Sequence, residues 1–140
     1  MRRKSYVLTL RAEADLREAR AWSRARWGKE LTKRYFEDLH DGAQYIAENY
    51  ISFRAQARHE LAGGTELFLY PVRDHYIVYE PLAAKLIAIV AVIRQGRDIP
   101  TLLQKWAAPI RRELMEIRTK IKRREIRVPT RTAPKPRMKK

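Results

Sequence analysis

The spacing of apolar residues changes several times along the chain, and each spacing predicts an element. Residues 6–10, Tyr-Val-Leu-Thr-Leu, alternate with period two, which predicts a first strand. Residues 11–27 and 29–50 carry apolar side chains every three or four positions, as amphipathic helices do. Because only Gly28 separates the two helices, we expect an antiparallel hairpin. Its apolar faces are Ala12, Leu16, Ala19 and Trp22 in the first helix, and Leu31, Tyr35, Leu39, Ala43, Ile46 and Tyr50 in the second.

Three further strands are predicted after a loop at residues 51–64. They lie at residues 66–70, 75–80 and 86–93, and their short connections favour an antiparallel meander. The last of them is apolar at every position, which is typical of a central strand covered on both faces. The helical hairpin can cover only one face of the sheet. The other face must be covered by the C-terminal segment or form a groove for a partner protein.

The C-terminal third predicts helices followed by a disordered end. Residues 98–106 predict a short helix, and Pro109 is well placed to begin another. Basic residues surround an apolar stripe on that second helix, and the stripe either docks on the sheet or meets a partner. From Val128 onwards proline and charge without apolar period predict disorder. The stripe consists of Ile110, Leu114, Ile117 and Ile121.

These elements together predict an α+β fold. A strand and an antiparallel helical hairpin precede a three-strand antiparallel meander, which gives a four-stranded, mainly antiparallel sheet followed by a C-terminal basic helix. The predicted divisions are a domain at residues 1–104, a basic helical extension at residues 105–127 and a disordered basic tail at residues 128–140.

The charge of the chain is concentrated in its last quarter. The formal net charge is +15, but residues 1–104 hold 17 Lys and Arg against 13 Asp and Glu, whereas residues 105–140 hold 14 against 3. A basic tail of this kind either contacts an acidic partner, such as nucleic acid, an acidic protein face or anionic lipid, or is a solvated extension. The longest apolar run has eight residues, too short for a membrane span, so we expect a cytoplasmic protein with no membrane partner.

The candidate chemistry is sparse. The chain has no cysteine, and its three histidines lack ligand spacing, so we expect no metal and no cofactor. Arg73, Arg94 and Arg97 bracket the ends of three predicted strands and either form one basic cluster or are solvated separately. His75 is a strand-edge residue or, as the less favoured alternative, a general base. Asp98 pairs with a neighbouring arginine or caps the next helix.

Several motifs occur in the order seen in the RelE/ParE superfamily of type II toxin–antitoxin toxins, which residues 5–104 resemble. Members begin the first helix with Ala-x-x-Asp-Leu, as residues 12–16 do, and carry Trp-Gly or Tyr-Gly between the helices, as Trp27 and Gly28 do. A tyrosine and a leucine follow in the second helix, here Tyr35 and Leu39. Asp74-His75 before Tyr-Ile-Val-Tyr, and Val-Ile-Arg-Gln-Gly-Arg-Asp at residues 92–98, are similar to the third and fourth strands of the ParE branch.

Departures from the RelE branch favour ParE. RelE-type ribonucleases use cations on the sheet to position the phosphate, but the corresponding positions here are the uncharged Leu69, Pro71 and Tyr76. Arg94 occupies the place of a frequent histidine. The ParE branch implies a toxin that traps DNA gyrase without catalytic residues, so we lean towards a protein that is not an enzyme.

The resemblance implies a growth-inhibiting toxin neutralised by a cognate antitoxin, which would lay a helix or strand across the apolar groove. One alternative is a ribosome-dependent mRNA endonuclease using Arg73, Arg94 and Arg97, with a tail that contacts ribosomal RNA. Another is an inactive member that binds an antitoxin and regulates its own promoter. The residues expected to contact partners are Arg73, His75, Tyr76, Arg94, Arg97 and Trp106.

Overall fold

In chain order, the fold consists of one strand, a long helical segment, three strands and a final helix. The computed structural model describes residues 6–53, 62, 65–83 and 85–124, with the backbone alone at residues 50–53. The predicted tail at residues 128–140, the Tyr50 side chain and most of the predicted loop lie outside this part. The elements are β1 (Tyr6–Leu8), α1 (Leu10–Phe53), β2 (Phe68–Val72), β3 (His75–Ala83), β4 (Leu86–Arg94) and α2 (Ile99–Lys122).

The four strands form one sheet in the spatial order β1-β4-β3-β2. β2, β3 and β4 pair antiparallel, and β1 pairs parallel to β4. The predicted α+β class, meander and mainly antiparallel sheet are therefore confirmed. Every residue from Leu86 to Ile93 in β4 is buried, as its continuous apolar run predicted.

α1 is a helical hairpin whose two arms meet at Gly28. Gly28 has φ 86° and ψ 177°, a conformation that an L-residue adopts only with strain, so the helix breaks there. The Arg20 guanidinium lies 4.3 Å from the ring centre of Phe36. Since these residues are equally far from Gly28 on opposite sides, the arms run antiparallel, as predicted.

Two apolar clusters hold the layers together, one on each face of the sheet. The cluster beneath α1 contains Ala12, Tyr35, Leu39, Ala43, Ile46, Ala47, Ile77, Tyr79, Ile87, Ile89 and Val92. The cluster beneath α2 contains Ala62, Leu67, Leu69, Tyr76, Val78, Ala88, Val90, Ala91, Ile93, Ile99, Leu103, Ile110 and Leu114. The protein thus has three layers, with the sheet between the hairpin and α2.

The prediction of two C-terminal helices separated before Pro109 is wrong. α2 is one helix from Ile99 to Lys122, and Asp98 caps it by accepting hydrogen bonds from the Thr101 N–H and hydroxyl. Pro109 cannot donate to the carbonyl one turn earlier, and this normally weakens a helix interior. Here Leu103 and Ile110, on either side of Pro109, are both buried against the sheet. Packing on both sides of the proline keeps the helix continuous.

The sequence left open whether the sheet face away from the hairpin is covered by the C-terminal segment or forms a groove for a partner protein. In the structure, α2 covers this face. Ile110, Leu114 and Ile117 are buried, so the apolar stripe of α2 docks on the sheet. Glu113 also accepts a hydrogen bond of 2.9 Å from the Leu10 N–H at the start of α1, and Arg118 pairs with Glu80 of β3. This face of the sheet is therefore not an open groove, and the place where an antitoxin binds stays a prediction. The predicted boundary at residue 104 falls inside α2.

Gly42 in α1 should resist replacement although it lies inside a helix. An added Cβ would lie 2.8 Å from Val72 Cγ2 in β2. We expect Gly42→Ala to lower the free energy of unfolding by about 1–2 kcal/mol, because overpacking exceeds the gain of up to about 1 kcal/mol in helix propensity. Urea unfolding of both single variants and of Gly42→Ala/Val72→Ala measures the coupling. Additive effects would show that the contact is not the cause.

Candidate functional site

A cleft with a cavity volume of about 440 Å³ opens where α1, the end of β4 and the start of α2 meet. We call it the basic cleft. Three arginines face two carboxylates around it, so its lining carries a net positive charge. Its lining residues are Arg11, Asp15, Glu18, Ala19, Trp22, His75, Val92, Ile93, Arg94, Arg97, Leu102 and Trp106.

His75 forms a buried part of the cleft wall and is held by Tyr35. The Tyr35 hydroxyl oxygen accepts a 3.3 Å hydrogen bond from the Asp74 N–H and is in short contact with His75 Nδ1. Burial raises the pKa of Tyr35 to about 12 and lowers the pKa of His75. The phenol therefore stays protonated and shares a hydrogen bond with Nδ1 of a neutral imidazole.

An arginine guanidinium lies over each of two tryptophan rings in the cleft. The Arg11 guanidinium lies 4.1 Å from the Trp106 ring centre, and that of Arg94 lies 4.9 Å from the Trp22 ring centre. Both distances fall within the range of cation–π attraction. Arg97 is exposed in the turn after β4, where Gly96 adopts φ 95°. The cleft can therefore present guanidinium groups to an anionic or planar partner.

Asp15 fixes the wall of the cleft that α1 provides. Its Oδ2 accepts a 3.0 Å hydrogen bond from the Val92 N–H of β4, and its Oδ1 accepts one of 3.4 Å from Arg11. Burial raises the pKa of this carboxyl, although both partners oppose the rise. β1 pairs with β4 as far as Ile89, so Asp15 satisfies a β4 donor beyond the end of β1.

Four of the six predicted partner-contact residues meet at the basic cleft, namely His75, Arg94, Arg97 and Trp106. Arg73 does not, because its side chain pairs with Asp38 at 2.5 Å beside a separate pocket near the hairpin tip. Tyr76 is buried beneath α2 and does not line the basic cleft. The predicted arginine cluster is thus formed by Arg94 and Arg97 without the Arg73 side chain.

The sequence interpretation did not place the α1 residues of the cleft. Arg11 and Asp15 are one helical turn apart and form an ion pair. The spacing of these opposite charges was visible in the sequence and could have indicated the pair. Trp22, predicted on the apolar face of the first helix, is half-buried and lines the cleft. No pattern in the sequence indicated that α1 would contact Trp106.

The described residues contain no group of three or more His, Cys, Asp or Glu side chains able to hold a metal ion. Within the same part of the chain, neither helix is long and apolar enough to cross a membrane.

Comparison with known proteins identifies the family. A family model described as the ParE toxin of type II toxin–antitoxin system, parDE, matches residues 6–99, more than half of the chain. Toxin ParE of Escherichia coli is 29% identical over 103 residues, which cover 71% of this chain and 92% of that protein. A solved chain of the chromosomal ParDE TA system from P. aeruginosa shares 18% identity, with a TM-score of 0.41, and covers 64% of this chain and 94% of its own length.

The match covers β1 to β4 and the helical hairpin. The matched residues end at Ile99, where α2 begins, so nearly all of α2 lies outside the matched range. The motifs that suggested the RelE/ParE superfamily and its ParE branch fall inside the matched range, and the resemblance is confirmed. The chain belongs to the family of ParE toxins of type II toxin–antitoxin systems.

Proposed function

We propose that this protein arrests growth by trapping DNA gyrase and that a cognate antitoxin neutralises it. The observation that carries the proposal is the ParE family match over residues 6–99. Trapping needs a shaped binding surface and no bond-making residue, so we assign no catalytic residue to this chain.

Uncharged residues at three positions of the sheet support the trapping of gyrase over the cleavage of RNA. Leu69 and Tyr76, which align with cations of the ribonuclease branch, are buried beneath α2, and Pro71 is an exposed, uncharged residue of β2. Cleavage of RNA needs positioned cations that stabilise the charge developing on the phosphate. These sheet positions cannot supply them.

The basic cleft is the surface that we propose for partner contact. His75, Arg94, Arg97 and Trp106 converge there with Arg11 of α1. Guanidinium groups and tryptophans are the side chains most enriched at energetically dominant contacts between proteins. The antitoxin contacts this cleft or displaces α2 from the sheet. The basic tail makes a separate contact with nucleic acid.

The ribosome-dependent endonuclease remains the second candidate because three arginines meet at one cleft. In that case Arg94 and Arg97 contact the RNA phosphate together with Arg11, which takes the place that the sequence predicted for Arg73. His75, held by Tyr35, is then the nearest proton-transfer group.

A supercoiling assay with purified bacterial gyrase tests the proposal. The wild-type protein should inhibit supercoiling and accumulate cleaved DNA, and the cognate antitoxin should reverse both effects. Arg94→Ala/Arg97→Ala should require at least about tenfold more protein, since hydrogen bonds to charged groups contribute about 1.5–3 kcal/mol each. Arg73→Ala is the matched control, because the Arg73 side chain lies outside the cleft and its exposed ion pair contributes little.

Folded protein that arrests growth but leaves supercoiling unchanged would reject gyrase as the target. Cleavage of mRNA on ribosomes by that same protein would then establish the second candidate. Equal losses in Arg73→Ala and in the double variant would reject the cleft as the contact surface.

A further inference from the structure

The solvent-facing side of α2 is strongly basic, and most of its cations form no ion pair with the described residues. Residues 105–124 contain eight Lys and Arg but two Glu. Within the described part of the chain, Arg118 pairs with Glu80, whereas the other seven cations form no such pair. Glu113 is turned towards the Leu10 N–H of α1. The exposed cations are Lys105, Arg111, Arg112, Arg118, Lys120, Lys122, Arg123 and Arg124.

The helical period arranges most of these cations in two rows, one of them opposite the buried stripe. At about 100° per residue, Lys105, Arg112 and Arg123 fall within about 20° of one another on the side away from the sheet, and the exposed Glu116 is the acidic residue in the same row. A second row, Arg111 and Lys122, lies along one flank. With a rise of about 1.5 Å per residue, the first row extends for about 27 Å, most of the roughly 34 Å turn of a DNA duplex.

We infer that this outer face of α2 binds the phosphate backbone of duplex DNA. Rows of guanidinium and ammonium groups along a helix match a polyanion that carries about one charge per 1.7 Å of its axis. Such contacts are sequence-independent and release counterions, so their strength falls steeply with salt. The choice of DNA over RNA rests on the proposed function, because gyrase acts on DNA.

Two other partners fit the outer face less well. A helix that lies on a lipid surface inserts an apolar face, but the apolar face of α2 is buried against the sheet. A protein interface needs an apolar centre and is depleted in lysine, whereas Met115 is the large apolar side chain exposed on this helix. A phosphate backbone therefore fits the outer face of α2 better than a lipid surface or a protein interface does.

DNA binding by α2 has a consequence for the toxin. Nearly all of α2 lies outside the residues matched by the family model, yet its Leu102 and Trp106 line the basic cleft. DNA binding by its outer face raises the local concentration of the toxin on DNA, where gyrase is found.

Fluorescence anisotropy with a labelled 30-base-pair duplex, without gyrase, tests the inference. The full chain is compared with Lys105→Gln/Arg112→Gln/Arg123→Gln, which keeps good helix formers at exposed positions. We expect at least tenfold weaker binding and a salt slope smaller by about 0.9 for each phosphate that the variant no longer neutralises. The matched control, Arg17→Gln/Arg24→Gln/Lys33→Gln, removes the same charge from exposed positions of α1 and should retain wild-type binding.

Equal losses in the two triple variants would overturn the inference, since net charge alone would then account for binding. Unchanged binding in the α2 variant would overturn it in favour of other basic residues. Tighter binding to a single-stranded or duplex RNA of the same length would overturn the choice of DNA. Because gyrase is absent, failure here leaves the supercoiling result untouched, and failure to inhibit gyrase leaves the measured DNA affinity untouched.

Discussion

Deleting residues 105–140 should unfold the protein, whereas deleting residues 125–140 should leave the fold intact. The longer deletion removes Ile110, Leu114 and Ile117, all buried against the rest of the fold. Burying each such side chain contributes about 1.5–3 kcal/mol, or roughly 5–9 kcal/mol for three. This loss is comparable to the whole stability of a typical domain, about 5–15 kcal/mol. It also exposes the apolar sheet face that includes Val78 and Val90.

Circular dichroism with urea unfolding measures the effect of both deletions. A point variant separates loss of packing from loss of length: Leu114→Asp should be strongly destabilising, while Met115→Asp, one residue away and 64% exposed, should be nearly neutral. If residues 1–104 alone unfold at the same urea concentration as the full chain, the domain boundary predicted at residue 104 stands and α2 is not part of the core.

Asp15→Ala should lower the free energy of unfolding by about 1–3 kcal/mol. The variant leaves the buried Val92 N–H of β4 without its acceptor and removes the partner of Arg11. The loss should also widen the basic cleft, because Asp15 joins α1 to β4 on one of its walls. Urea unfolding quantifies the change, with Glu37→Ala as the control at an exposed position of α1 that does not line the basic cleft.

Asp15→Asn distinguishes the hydrogen bond from the charge. The amide oxygen can still accept from the Val92 N–H, so this variant should lose less stability than Asp15→Ala. The pKa of Asp15 is raised in the fold above the ordinary value of 3.8, so its protonated form favours folding. The wild type should therefore lose stability relative to Asp15→Asn as the pH rises from about 3.8 through the raised pKa. A relative gain over that window would contradict burial as the dominant influence on this carboxyl.

The local pattern of the sequence was enough to predict the elements as far as β4 and their order. Alternation at residues 6–10, the three-to-four spacing on both sides of Gly28 and the fully apolar run at residues 86–93 each reflect the geometry of one element. A helical hairpin, a meander and a central strand follow from such local signals, because the period of burial is a property of the element itself. The family was likewise recognisable from short motifs, and the structure gives a physical reason for Ala-x-x-Asp-Leu. Ala12 packs in the cluster between α1 and the sheet, and Asp15 accepts a hydrogen bond from β4.

The site depended on contacts between residues distant in sequence, which no period encodes. Arg11, Trp22, Arg94 and Trp106 come from three elements and meet only because α1 and α2 both cross the end of β4. Arg73 lies near the end of a strand, as Arg94 and Arg97 do, but Asp38 of α1 holds its side chain at another pocket. The effect of Pro109 on α2 likewise could not be predicted from the local sequence, because it depends on whether tertiary packing holds both sides of the helix.

By itself the sequence determined the elements as far as β4, the fold class and the family, because those are encoded in local periodicity and short motifs. It left open whether the apolar stripe of α2 would dock on the sheet or meet a partner, since either arrangement buries the same side chains. Only the tertiary structure decided that this helix completes the core. The same docking turned the cations of α2 outward and closed the basic cleft with Trp106.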